Sequence, residues 1–177
     1  MKKLLVVALL TLMASGCETM QSARYSVSID NNQALKQYAG AAVRVSITNS
    51  APFDSGCRMA GPIQAADGVT LPKFVEKAFN DELKFANIYS DTGVTLNGNL
   101  TKLAFSSSDG LVNGWWNLAI TLTGNGGKTL SAETTYKFPS GFEAITACNH
   151  TALALGSAVQ DLIKKVATDP QFGALIH

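Results

Sequence analysis

Alternation with a period of two is clearest in the second half of the chain. Trp116, Leu118, Ile120 and Leu122 fall on one side of a segment whose other side carries Trp115, Asn117, Ala119, Thr121 and Thr123. That is the pattern of a strand with one buried face. Gly124-Asn125-Gly126-Gly127 follows as a hairpin turn signal. The returning strand sets Leu130, Ala132, Thr134, Tyr136 and Phe138 against Thr129, Ser131, Glu133, Thr135 and Lys137, and Pro139 ends it. Val43, Val45 and Ile47, alternating with Arg44, Ser46 and Thr48, predict an earlier strand. Another runs through Val94, Leu96, Leu100, Leu103 and Phe105. Its apolar parity changes between Leu100 and Leu103, which predicts a bulge near Asn97-Gly98-Asn99.

Two segments change to helical spacing. Leu71, Phe74, Val75, Ala78, Phe79, Leu83 and Ala86 predict an amphipathic helix to about Asn87, with Thr70 as its cap and Pro72 in its first turn. Leu155, Ala158, Val159, Leu162, Ile163 and Val166 predict a second helix, capped by Asn149 or Thr151 and stopped by Asp169-Pro170. Phe172, Leu175 and Ile176 then form a last apolar turn. Residues 49–68, with Pro, Gly and Asp, and residues 106–114, rich in Ser and Gly, read as loops. The element order is β-α-β-β-β-α. It predicts an α+β two-layer sandwich, a four-stranded, mostly antiparallel sheet with two helices on one face.

The start of the chain has a different pattern. Lys2 and Lys3 precede an apolar run over residues 4–13, too short to span a bilayer but suited to a secretory signal. Ala14-Ser15-Gly16-Cys17 closes it, resembling the lipobox of bacterial lipoproteins, with Ala14 where Leu is usual. The resemblance implies cleavage after residue 16 and acylation of Cys17. Glu18, rather than Asp, then points to the outer membrane, periplasmic face. Residues 17–40 have little apolar periodicity and read as the lipidated N-terminus and a flexible tether, leaving 41–177 as one domain.

Composition refines this picture. The 177 residues include 14 basic and 13 acidic side chains, and loss of Lys2 and Lys3 with the signal moves the net charge from +1 to −1. No clustered basic excess exists to bind nucleic acid. Charged residues make up 15% of the chain, below the roughly 25% typical of soluble domains. With Cys17 given to lipid, Cys57 and Cys148 remain, and in an oxidising compartment they most simply pair. Two free thiols, or a metal or catalytic role with His150, are the alternatives.

The ending Thr168-Asp169-Pro170-Gln171-Phe172 with Leu175, the strand at residues 43–48, and the element order behind a lipobox together resemble the YajG family of small Gram-negative lipoproteins. At the level of fold they are also similar to LptE and related accessory lipoproteins. The resemblance implies a membrane-anchored envelope protein.

No residue pattern adds catalysis. Gly124 to Lys128 lies between strands, not between a strand and a helix, so it is a turn and not a phosphate loop. No G-x-S-x-G elbow occurs. His150 and His177 are the only histidines, and the carboxylates are scattered. The expectation is a non-enzymatic binding or accessory module, without cofactor or metal, held to the membrane through Cys17 and engaging an envelope protein. Trp115, with Asn117, Thr121 and Lys137 on the same strand faces, is the candidate partner-binding surface. The alternatives are a carrier with a cavity lined by Phe74, Phe79, Trp116 and Phe138, or a hydrolase using His150. Alkylation of the unreduced mature chain, read by mass spectrometry, is expected to modify no thiol, and reduction to release two. Two thiols before reduction would refute the Cys57–Cys148 pair.

Overall fold

The computed structural model describes residues 20–176; the signal segment, Cys17 and His177 lie outside the described residues. The main sheet contains β2 (Val43–Asn49), β5 (Val94–Asp109), β6 (Asn113–Thr123) and β7 (Thr129–Pro139), in the order β2-β5-β6-β7. β2 and β5 are parallel, and the other pairs are antiparallel. A parallel pair needs a crossover, here made by helix α2 (Leu71–Phe85). Helix α3 (Ala144–Ala167) packs against β6 and β7 on the same face. Val45, Leu96, Leu100, Trp116, Leu118, Ile120 and Leu130 lie between sheet and helices, each at most 4% exposed. The α+β class and the period-two strands match expectation.

The architecture is richer than a sandwich with two helices. Residues 49–68 are not a plain loop: they hold β3 (Gly56–Cys57) and β4 (Gly61–Gln64), an antiparallel pair. β1 (Met20–Gln21) adds to β4 in parallel, giving a second sheet of order β1-β4-β3. Helix α1 (Ile29–Lys36) lies against α2 and α3, and α4 (Phe172–Ile176) docks at the end of the chain.

The expected tether over 17–40 is therefore corrected from residue 20 onward. Met20 is fully buried and registers with Ile63. Polar residues then fix the following segment. Glu82 of α2 is 0% exposed, and its Oε1 accepts from the Tyr25 hydroxyl (2.6 Å), the Ser28 amide (2.8 Å) and Asn31 Nδ2 (3.2 Å). Asn32 Nδ2 donates to Phe85 O, Gln160 Nε2 to Ser26 O, and Lys164 pairs with Asp30 at 2.7 Å. A buried carboxylate is tolerated because several donors replace its water. Burial and the adjacent Glu82 carboxylate together push the Tyr25 phenol far above its ordinary range.

Three other boundaries move. Helix α3 starts at Ala144, not after Asn149 or Thr151, because the Glu143 side chain accepts from the Ile145 and Thr146 amides (2.9 and 2.8 Å). Cys148 and Thr151 thus lie inside the helix, both at 0% exposure. Thr70 sits at the cap of α2 but makes no side-chain cap bond, and the helix ends at Phe85, with Asn87 at φ 60. The bulge in β5 falls between Leu100 and Lys102, just after the expected site. Residues 106–109 extend β5 instead of forming a loop.

The disulfide between Cys57 and Cys148 joins β3 to α3, with Cα atoms 5.9 Å apart. Closing a separation of 91 residues is worth on the order of 4–5 kcal/mol in the chain-entropy account. Glycine matters where elements meet closely. A Cβ on Gly124 would lie 2.4 Å from Leu175 O, so only glycine lets α4 seat on the β6–β7 turn.

The two edges of the main sheet differ. On β2, Val43 bonds to Ile88 O and Ser90 N, Asn80 Oδ1 and Nδ2 pair with Val45 N and O (2.9 Å each), and Glu76 Oε2 takes Ile47 N. Side chains of α2 thereby satisfy an edge that would otherwise be open. Asn80→Ala removes two of these bonds at once. It is expected to lower the unfolding free energy by about 1–2 kcal/mol, read as a lower urea midpoint with an unchanged m-value.

Candidate functional site

The face of the main sheet opposite the helices is polar, and the register shows what stands beside what. Ser106, Trp115 and Lys137 form one cross-strand row, and Ala104, Asn117 and Thr135 the next. Lys102, Ala119 and Glu133 come third, then Asn99, Thr121 and Ser131. The residues expected to bind a partner, Trp115, Asn117, Thr121 and Lys137, therefore share one face, as alternation requires. The structure brings Trp115 directly beside Lys137, and it sets Thr121 three rows away, where its hydroxyl bonds Ser131 Oγ at 2.9 Å.

Each position has a local cause. Gly114 precedes Trp115 because a Cβ there would come within 2.5 Å of the Phe138 ring. Trp116, on the buried face, donates from Nε1 to Thr151 O at 2.8 Å and lies 5.0 Å from the Phe105 ring centroid. With its neighbour locked in the core, Trp115 is held half-buried on the open face. Ala119 is small enough for Lys102 Nζ to cross it and reach Glu133 Oε1 at 2.8 Å. That hydrogen bond and the ammonium charge hold the Glu133 carboxyl below its ordinary range. Asn117 also hydrogen-bonds Glu133, while its Oδ1 is buried without a hydrogen-bond partner. Lys102 and Glu133 were not singled out by the sequence, and only the register reveals them as a pair.

The backbone at the edge of this face is also defined. Ser140 N donates to Val112 O and Gly124 N to Lys128 O, and the β6–β7 register runs unbroken between them. Alternation then assigns the even-numbered residues of β7 to β6. Thr129, Ser131, Glu133, Thr135 and Lys137 turn their N–H and C=O groups outward.

Other candidates separate from this face. Phe74, Phe79, Trp116 and Phe138 are core residues, at most 7% exposed. A cleft of about 370 Å³ lies elsewhere, between the start of α2 and the small sheet, lined by Phe53, Ile63, Val69, Leu71 and Leu103. His150 Nδ1 is 2.7 Å from the Ser140 carbonyl oxygen, on the second turn of α3. Among the described residues, no group of three or more His, Cys, Asp or Glu side chains could hold a metal ion. Nor is any helix among them long and apolar enough to cross a membrane.

No family model matches the chain, and no curated protein does. A solved structure described as a crystal structure of an uncharacterized protein is similar in fold. Its TM-score is 0.51 at 10% sequence identity, over 85% of this chain and 97% of that one. The likeness is one of fold alone.

The Lys102–Glu133 pair makes a pH prediction. Because Lys102 favours the charged form of Glu133, the Glu133 midpoint lies below the usual carboxylate value, and Lys102→Ala is expected to raise it. Carboxyl-resonance titration by NMR reads the shift; an unmoved midpoint would show that the pair does not persist in solution.

Proposed function

We propose that the chain is an outer-membrane-anchored periplasmic lipoprotein, a non-enzymatic binding or accessory module in cell-envelope assembly or maintenance. The observation that carries the binding part is the Trp115–Lys137 row on the sheet face opposite the described helices, bordered by the outward-facing backbone of β7. An amphipathic aromatic ring beside an ammonium that forms no ion pair among the described residues suits a hot spot, because ring burial supplies area while the charge selects the partner. Support for the anchor is the apolar run over residues 4–13 followed by Ala14-Ser15-Gly16-Cys17. The resemblance of the sequence to the YajG family and, in expected fold, to LptE is what suggests an envelope role. In this reading the membrane is contacted through lipid on Cys17, and an envelope protein is contacted through Trp115, Asn117 and Lys137.

A carrier of small apolar molecules is the second reading, and the cleft beside Phe53 and Leu103 is what favours it. That cleft is not the cavity expected from Phe74, Phe79, Trp116 and Phe138. A hydrolase using His150 is the third reading; the Nδ1 contact with the Ser140 carbonyl orients the imidazole but supplies no nucleophile.

Affinity capture from detergent-solubilised envelopes, comparing wild type with Trp115→Ala, tests the binding face. Loss of a hot-spot aromatic costs about 2 kcal/mol, roughly 30-fold in affinity, so a partner held by Trp115 is expected to disappear from the variant. An identical set of captured proteins would remove Trp115 from the proposal.

A further inference from the structure

Five of the nine large apolar side chains exposed among the described residues lie on adjoining segments at one end of the domain. Met59 is fully exposed, and Phe142, Leu111, Val112 and Ile145 are 75%, 68%, 49% and 45% exposed. Single exposed apolar residues are ordinary, but a group on adjoining loops marks a contact surface. These loops are tied to one another. Arg58, next to Met59 in the β3–β4 turn, donates to Ser107 O (2.6 Å), Ser107 Oγ (3.1 Å) and Phe142 O (2.9 Å). Val112, in the β5–β6 hairpin, accepts from Ser140 N and Gly141 N at 2.8 and 3.1 Å. Glu143 caps the helix turn that carries Ile145. The β3–β4 turn, the hairpin tip and the β7–α3 connection thus present their apolar side chains from one bonded unit.

The direction of the chain identifies what lies beyond that end. β1 runs parallel to β4, with Met20 opposite Ile63 and Gln21 opposite Gln64. Going backward from Met20 is therefore going along β4 from Ile63 to Gly61, toward the turn that carries Met59. Met20 is buried and cannot travel. Between it and Cys17 stand only Glu18 and Thr19. Covalent geometry limits the Cys17 Cα to roughly 11 Å from that of Met20. A flexible tether would let the domain float free of its anchor, and this length does not.

We propose that the end formed by Met59, Leu111, Val112, Phe142 and Ile145 seats on the lipid surface that receives the acyl chains of Cys17. This rests on the reading of Cys17 as a lipidated residue and gives that reading a geometry. Exposed Asp109 and Glu143 border the group, so the contact is apolar and does not require anionic headgroups. A neutral phosphatidylcholine surface is the matching partner.

The test uses the full chain, purified from membranes and reconstituted into phosphatidylcholine vesicles. Single nitroxides are attached through Leu111→Cys and Phe142→Cys, and through Lys128→Cys at the β6–β7 turn, the opposite end of β6. Each variant is required to melt like wild type, and two patch positions guard against the loss of one. Oxygen, which concentrates in lipid, is expected to relax the nitroxides at 111 and 142 more than a water-soluble nickel chelate does, and the order is expected to reverse at 128. The intact mass of the same sample reports acylation. An acylated chain whose nitroxides at 111 and 142 behave like that at 128 overturns the proposal and leaves the anchor standing. A chain without acyl mass at Cys17 overturns the anchor reading and the proposal with it.

Discussion

The bond between Cys57 and Cys148 holds together parts that could not persist separately. β1 and β3 are only two residues long, and strands of that length have little stability of their own. Fastened to α3, a helix whose apolar stripe runs its whole length under the main sheet, β3 becomes a fixed edge for β4, and β4 for β1. The path of the N-terminus, the cleft beside Phe53 and the placement of Arg58 all follow from that fastening. The stabilisation comes largely from the unfolded chain, whose freedom the cross-link reduces.

A second constraint acts farther along the fold, at Glu82. Glu82 lies in the apolar stripe of α2 and carries no cationic partner, yet it is fully buried. Its donors Tyr25, Ser28 and Asn31 all come from the segment that enters from β1, and that segment meets α3 near Gln160, farther along the helix than Cys148. A carboxylate left there without them would cost several kcal/mol, so segment and helix hold each other in place. Asn31 also reaches the Gln160 carbonyl, linking the same segment to α3. Disulfide and carboxylate thus fix the N-terminal residues at two points.

The parts legible in the sequence were those that repeat. Trp116, Leu118 and Ile120 alternate with Trp115, Asn117 and Ala119, and the parity shift before Leu103 marked the bulge to within a few residues. The candidate face followed from the same alternation, although only pairing could reveal that Lys137 stands beside Trp115 and Glu133 beside Lys102's reach. Residues 20–40 are not legible, because they are held by polar bonds to partners 53 to 134 positions away in the chain, which leave no periodic trace. Asn31 and Asn32 are buried, against the usual habit of their type. The start of α3 was missed for a related reason: Asn149 is the better cap by preference, but Glu143 stands where its carboxylate can take two amides, and Ala147, Cys148, Thr151 and Ala152 continue the stripe upstream.

The unequal edges of the main sheet carry a consequence for association. Asn80 and Glu76 occupy backbone groups of β2, whereas the outward groups of β7 meet no strand among the described residues. Strand addition can then begin at β7 but finds no second open edge in the main sheet. Two molecules meeting through β7 would exhaust each other's edges, and a guest strand laid there would end the sheet. An arrangement with one closed side and one open side admits a pair through this sheet and gives a growing stack no further strand to add to.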